Sequence, residues 1–507
     1  MKKALKLALL HMDVGHKQVE ANRARLVELA GRAAGREAKI ILAPELAVSG
    51  YSFSGPREVT PFAETARGPT AAALAEVARR FGVFIAFGLA EKDAAGAILH
   101  NSALVLGPDG KTACIYRKIN AESRWACPGD PVQDNTFETP WGRVGLLICS
   151  DTYYGLMPRI TALRGADLLL VPANWPIAGI DPQELWSARA LENGFALAAC
   201  NRTGIDRTMD CRKAPSVICD NRGRTLAASM GPGSRIVMHD LPLDANGRLE
   251  SSRRKKLLAA RRPEHYHGCY LDLRPVKDLT SFFDLPPAGR LNLLAVVPSQ
   301  SRHPAEALNL ELAAKTPVPE TLCLVPVLDE PAPELETLEA TTARWQVAAC
   351  ACTIQGGLRR LHLFRNGRLD SNWTLPAWPL GEGDSLPRFD FGPARITLAP
   401  MAALRHPEPA LAASKQGCDL AIAIEPEISA GDRLLAGART IENLAIAACG
   451  RNLAGIWQPP EGHRRWAEDL AEPGQACRLT LDTGRTRQKR FQDRVDFRTL
   501  LAASFNG

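Results

Sequence analysis

Short apolar runs alternate with longer stretches of helical periodicity along the first half of the 507-residue chain. The runs "LKLALLHM" (5–12), "KIILAPEL" (39–46), "VFIAFGLA" (83–90), "NSALVLG" (101–107), "TACIYRK" (112–118), "RVGLLIC" (143–149), "DLLLVPAN" (167–174) and "FALAACNR" (195–202) read as β-strands. Between them, residues 17–35, 69–81, 156–165 and 183–194 carry helical patterns. Apolar strands alternating with helices imply a layered α/β domain rather than an all-β sandwich.

The second half repeats this order. "LNLLAVVPS" from 291 answers "LKLALLHMD", "LCLVPVL" from 322 answers "IILAPEL", and "LFRNGRLDSNW" from 363 answers "VLGPDGKTACIY". Residues 143–171 lie on 395–423 without a gap, pairing Arg143 with Arg395, Gly165 with Gly417 and Asp167 with Asp419. "ARALENGFALAAC" from 188 meets "ARTIENLAIAAC" from 438. Blocks that recur in the same order indicate a tandem duplication. The Pro and Gly of "DLPPAGR" put the boundary near 280–290, which divides the chain into 1–285 and 286–507. In this pairing Cys149 faces Met401, Glu45 faces Val327 and Lys118 faces Leu375. Three polar or reactive residues become apolar together, as expected of a pocket that the second copy has lost.

Composition narrows the function. The chain is longer than one hydrophobic core usually supports, and 46% apolar with 23% charged residues describes a globular protein. No apolar stretch reaches the roughly 18 residues a membrane span needs, so no membrane partner is expected. In "MKKALKLALLHMD", Lys6 interrupts and Asp13 ends the apolar run, which reads as a core strand rather than a signal peptide. Thirteen cysteines without a CxxC pair fit a reducing cytoplasm. A net charge of +7 is only mildly basic, and "RRKKLLAARR" (253–262) reads as a solvated helix face, so no nucleic acid is expected. "HYHGC" (265–269) offers ligand types for a metal, but no second cluster at zinc-site spacing accompanies it. GxGxxG, phosphate-binding GxxxxGK[ST] and HExxH motifs are also missing, so no metal or organic cofactor is expected.

Candidate chemistry centres on "RVGLLICSDTYY" (143–154), where an apolar run stops at Cys149 and turns polar. By itself such a cysteine reads as core packing. With their flanks, however, Cys149, Glu45 and Lys118 resemble the nitrilase superfamily, the carbon-nitrogen hydrolases. The matching segments are "ILAPELAVSGY" (41–51), "GKTACIYRKINAESRWACPGD" (110–130), "GRVGLLICSD" (142–151), "LLLVPANWP" (168–176), "ARALENG" (188–194) and "RRPEHY" (261–266). The resemblance is strong to about residue 270 and continues beyond it mainly through the internal repeat. It implies a four-layer αββα sandwich, duplicated in tandem, with the second copy acting as a built-in partner in an intrachain pseudo-dimer. Further self-association of that pseudo-dimer is compatible with it.

The resemblance also implies the roles. Cys149 would attack the carbon of a small amide, N-carbamoyl amine or nitrile. Its placement at an expected strand-to-helix junction predicts that the helix N-terminus favours the thiolate. Glu45 would be the general base, with a pKa raised by its apolar setting. Lys118, with a backbone N–H near Cys149 or Ser150, would stabilise the oxyanion. Glu122 stands where family members carry a second glutamate, and would orient Lys118 or the attacking water. Tyr51, Trp125, Ser150, Tyr153, Asn174 and Trp175 are expected to wall the pocket by adjacency to the motifs.

Asp151, two residues past the cysteine, is similar to the amidase and carbamoyl-amidohydrolase branches, whereas the short spacing in "RKINAESRW" is similar to nitrilases. The expected function is a thiol-dependent amidohydrolase, with nitrile hydrolysis or acyl transfer to an amine as neighbouring readings. A non-catalytic binding protein is the alternative of another class.

Overall fold

A computed structural model of the protein describes residues 3–462, 464–489, 491–492 and 494–502. The chain divides into two compact units. One holds the residues up to Ala259 together with Arg494–Leu500, and the other begins at Ala260. The division falls earlier than the proline-containing stretch at 284–290, because 260–285 packs with the second unit. There Arg261 Nε donates to Glu408 Oε1 at 2.8 Å and Lys415 Nζ donates to Cys269 O at 3.1 Å. Both cations are buried, and buried charge needs such partners.

The first unit contains β1 (Ala4–His11), β2 (Ile40–Leu42), β3 (Phe84–Lys92), β4 (Leu99–Leu106), β5 (Thr112–Arg117) and β6 (Thr136–Thr139). There follow β7 (Gly142–Leu146), β8 (Leu168–Ala173), β9 (Ala196–Asn201), β10 (Ser216–Cys219), β11 (Thr225–Ser229) and β12 (Arg235–Pro242). They form two six-stranded sheets, ordered β12-β1-β2-β3-β4-β5 and β11-β10-β9-β8-β7-β6. Each has a parallel centre, β1-β2-β3 or β7-β8-β9, with antiparallel strands at its edges. β1 lies against β9 and β3 against β8. Leu26, Leu29 and Ala33 of helix Val19–Gly35, with Leu74 and Ala78 of helix Pro69–Phe81, pack on Ile41, Ile85 and Leu104. Helices Leu156–Leu163 and Pro182–Asn193 accompany the other sheet, which gives the α-β-β-α layering. The middle strands β2 and β8 are apolar and buried throughout because both faces are covered.

Helix Pro69–Phe81 matches its predicted span: Pro69 occupies the first turn and Gly82, at φ 63°, ends it. Among the described residues no helix is long and apolar enough to cross a membrane.

The second unit contains β13 (Arg290–Val296), β14 (Leu322–Val327), β15 (Ala348–Gln355), β16 (Leu358–Arg365), β17 (Arg368–Leu375) and β18 (Arg388–Phe391). Then come β19 (Ala394–Leu398), β20 (Leu420–Ile424), β21 (Ala445–Cys449), β22 (Ala454–Gln458), β23 (Ala467–Ala471) and β24 (Ala476–Asp482). Their orders, β24-β13-β14-β15-β16-β17 and β23-β22-β21-β20-β19-β18, repeat the first unit strand for strand. The registers agree as well. Leu7 pairs with Ile40 as Leu293 does with Leu322, and Val144 pairs with Leu168 as Ile396 does with Leu420. The tandem duplication read from the sequence is therefore present in the topology.

Candidate active site

Three loops at strand ends converge in the first unit. Glu45 follows β2 after Ala43 and Pro44, Lys118 follows β5, and Cys149 follows β7. Glu45 comes so close to β3 that a Cβ on Gly88 would lie 2.4 Å from Glu45 Cα and 2.5 Å from Leu46 N, so only glycine fits there. β7 stops at Leu146, short of the expected end of the strand. Cys149 then adopts φ 44°, a left-handed conformation that is costly for a residue with a side chain, and opens a single 3-10 turn, Cys149–Thr152. Asp151 braces that turn, accepting from Tyr116 Oη at 2.9 Å and from the Asn120 N–H at 2.8 Å.

Lys118 Nζ donates to Glu45 Oε1 at 2.7 Å and to Glu122 Oε1 at 2.6 Å, with both Lys118 and Glu45 fully buried. The amide of Asn101 on β4 spans the same two carboxylates, 2.7 Å from Glu45 Oε1 and 2.9 Å from Glu122 Oε2. Glu45 Oε2 accepts from the Asn174 N–H at 2.8 Å, and Asn174 Nδ2 returns a bond to Glu45 O at 2.9 Å. Tyr51 Oη donates to Glu122 Oε1 at 2.9 Å. The Cys149 sulfur is near enough for its charge to act on Lys118 and Tyr51, and for those of Glu45, Lys118 and Glu122 to act on it.

These contacts set the proton affinities. Burial, with the neighbouring Glu122 charge, raises the Glu45 carboxyl above the ordinary glutamate value although Lys118 opposes it. Glu122 is also buried, but the Lys118 ammonium outweighs that and holds it below its ordinary value. Burial pulls Lys118 down, and the two glutamates more than compensate, keeping the ammonium well above the usual lysine value. Two carboxylates in one site thus have different readiness to take a proton, an arrangement suited to acid-base work. Burial and Glu45 push the Cys149 thiol well up, against the Lys118 charge and the Asn174 N–H. This corrects the expectation of a thiolate favoured by a helix: one 3-10 turn carries no appreciable macrodipole, and desolvation dominates. Asp151 is pushed up to about 6 by burial, against Lys118 and its hydrogen-bond donors.

The structure brings Glu45, Lys118, Glu122 and Cys149 together. Of the expected wall residues, Tyr51 reaches the network directly. Asn174 joins it chiefly through its backbone N–H. Ser150 Oγ donates to Asn120 O at 3.2 Å, closing the loop beside the turn. Tyr153 stacks on Trp175 at 6.3 Å, and Trp175 meets Trp186 edge-on at 5.9 Å. Trp125 instead belongs to an apolar cluster with Phe53 and Leu46. Sequence reasoning missed Asn101, Tyr116 and Gly88. The available signals were an asparagine inside the apolar β4 run and a glycine inside β3.

In the second unit the registers put Val327, Leu375 and Met401 at the positions of Glu45, Lys118 and Cys149. Arg359 takes the place of Asn101 and Glu425 that of Ala173. Glu425 Oε1 accepts from the Met401 N–H at 2.8 Å, while Arg359 binds Glu425 Oε2. An ion pair therefore stands where the first unit has its thiol and carboxylates.

The chain is similar to several known proteins. The carbon-nitrogen hydrolase family matches residues 6–250. A nitrilase of Pyrococcus abyssi is 34% identical over 207 residues, covering 40% of this chain and 77% of that protein. Omega-amidase NIT2 of Homo sapiens is 30% identical over 254 residues, covering 47% of this chain and 89% of its own. Among solved structures, Saccharomyces cerevisiae Nit3 is 20% identical with a TM-score of 0.44, covering 55% of this chain and 96% of its own. An amidase from Nesterenkonia sp. AN1, with acrylamide added at its active-site cysteine, is 24% identical with a TM-score of 0.41, covering 50% of this chain and 98% of its own.

Proposed function

Because the chain belongs to the carbon-nitrogen hydrolase family of the nitrilase superfamily, we propose that it cleaves a small-molecule amide or N-carbamoyl amine through a thioester on Cys149. The observation that carries this reading is the buried network in which Lys118 and Asn101 join Glu45 to Glu122 beside the Cys149 sulfur.

With its thiol pKa raised, Cys149 rests protonated. As the sulfur attacks the carbonyl carbon, the S–H proton passes to Glu45, whose raised pKa suits it to receive one. The carbonyl oxygen takes the electron pair and is held by the Lys118 ammonium. Collapse of this intermediate breaks the C–N bond, Glu45 returns the proton to the departing nitrogen, and ammonia or an amine leaves. Glu45 then takes a proton from water as its oxygen attacks the thioester. The carboxylic acid departs and the proton returns to sulfur. Glu122 and Asn101 position Lys118 and Glu45 throughout.

The test is a panel of amides, N-carbamoyl amines and nitriles, followed by ammonia release and by intact mass for an acyl adduct. Turnover of an amide or carbamoyl compound, an adduct on the native protein and the loss of both in Cys149→Ala are expected. Equal turnover by Cys149→Ala would refute the thioester, and turnover of nitriles alone would replace the amide reading. Ammonia release that depends on an added amine, with the acyl group transferred to it, would make the enzyme an acyltransferase.

A further inference from the structure

The "HYHGC" segment takes no part in the chemistry of the first unit. In the second unit its two histidines line a cavity of about 270 Å³, together with Tyr266, Trp378, Leu386 and Arg388. Cys269 points its thiol at Glu408 O, and among the described residues no third ligand joins the two imidazoles.

The lining has a consistent chemical character. None of its residues is an aspartate or glutamate, while Arg388 and the two histidines supply positive charge or N–H donors. Arg388 spends one guanidinium nitrogen on the neutral side chain of Gln416 and forms no ion pair among the described residues. His265 Nε2 and Trp378 Nε1 are buried, and neither has a hydrogen-bond partner among the described residues. Unpaired buried N–H groups are uncommon because each costs about 1–3 kcal/mol. The indole N–H of Trp378 is one such group, and with an unpartnered ring nitrogen of His265 it belongs to residues that line one cavity beside an unneutralised guanidinium, a setting that suits an acceptor carrying negative charge. The indole of Trp378 and the ring of Tyr266 add flat apolar walls, and the volume lies below the range of roughly 300–1,000 Å³ typical of drug-sized ligands.

We propose that this cavity binds a small organic carboxylate with a flat apolar body, its carboxylate meeting Arg388 and the nitrogens of His265 and Trp378. The site is separate from the Cys149 network and does not depend on the reaction assigned to it.

Benzoate is the probe, titrated into the full-length protein by calorimetry and by tryptophan fluorescence, with benzamide and inorganic phosphate as controls. Saturable binding of benzoate is expected, at least tenfold tighter than either control. Arg388→Gln weakens it tenfold or more, and Trp378→Phe removes the fluorescence change. Arg388 is exposed, so its replacement leaves the fold intact, as circular dichroism would verify. Cys149→Ala retains the binding, which distinguishes this site from the first unit's pocket. The proposal is overturned if benzoate does not saturate, if benzamide or phosphate binds equally well, if Arg388→Gln binds as tightly as the native protein, or if Cys149→Ala abolishes the binding.

Discussion

Glu45 and Glu122 share one lysine and one asparagine amide, yet their proton affinities diverge, and the divergence can be measured. In the proposed reaction Glu45 must be ionised to accept the thiol proton, so kcat/KM rises with pH as Glu45 loses its own proton. Because burial and the Glu122 charge raise that pKa, the acid limb has its midpoint above the ordinary glutamate value of about 4.3. Glu122→Gln removes the neighbouring negative charge, so the limb moves to lower pH while kcat falls. A pH-rate profile of both proteins checks this, and an unmoved limb would mean that Glu122 does not act on Glu45. Lys118→Ala removes the proposed oxyanion donor and leaves two buried carboxylates facing each other. A loss of about a hundredfold or more in kcat and a destabilisation of about 3–5 kcal/mol are expected, read from steady-state kinetics and thermal unfolding. Cys149, Glu45 and Lys118 were legible in the sequence because each sits in its own recognisable context. Asn101 was not, since an asparagine inside the apolar run "HNSALVL" stands out but says nothing of the two distant carboxylates it ties together.

At the level of elements, the two units differ in how the second strand of the first sheet ends. β2 stops at Leu42 and frees the chain to swing Glu45 toward the site, over the bare backbone of Gly88. β14 continues past an irregularity, so that Val327 still pairs, and the position of Gly88 is filled by Cys352. Loss of the carboxylate thus goes with a strand that runs on and a side chain that occupies the clearance. Gly88→Ala is therefore expected to act at a distance from any reacting atom. Its Cβ meets backbone atoms that cannot rotate away, and overpacking of this kind costs about 1–3 kcal/mol. A shift of Glu45 by a fraction of an ångström to 1 Å lowers kcat by up to about a hundredfold. Gly31→Ala, on helix Val19–Gly35 with nothing within 4 Å of the added carbon, is the control and should keep full activity. Kinetics and melting temperatures of the two variants decide the matter. Many strand and helix positions could be read from periodicity, as the match at Pro69–Phe81 illustrates. The early end of β7 could not, because "LLIC" is equally apolar whether it pairs in a sheet or turns at Cys149.

For the molecule as a whole, the duplication predicts one reactive centre per chain. With Met401 in place of the thiol, and Glu425 and Arg359 holding that position, an acylating substrate should add one equivalent to the native chain and none to Cys149→Ala, as intact mass would show; a second equivalent would contradict the assignment. The repeat was visible in the sequence because its blocks keep their order. The return of Arg494–Leu500 to the first unit was not, since no pattern in so short a segment announces its partner. Arg164, nearly buried, donates to Asp496 Oδ2 at 2.9 Å and also to Asn135 Oδ1 at 2.9 Å, so the tail and the loop before β6 hang on one guanidinium. Burial raises the Asp496 carboxyl, but Thr499 and Arg164 outweigh it and leave the pKa below the ordinary value. A depressed carboxylate contributes stability above its unfolded pKa of about 3.9, and that contribution disappears as pH falls through the lower folded value. Asp496→Asn should therefore cost about 1–3 kcal/mol near neutral pH, with the deficit closing below about pH 4. Thermal unfolding across pH tests this, and a deficit that persists unchanged in acid would show that the carboxylate's charge is not what fastens the tail. A chain truncated after residue 285 lacks Asp496 altogether, so it should share the neutral-pH deficit even where Cys149, Glu45 and Lys118 are all present.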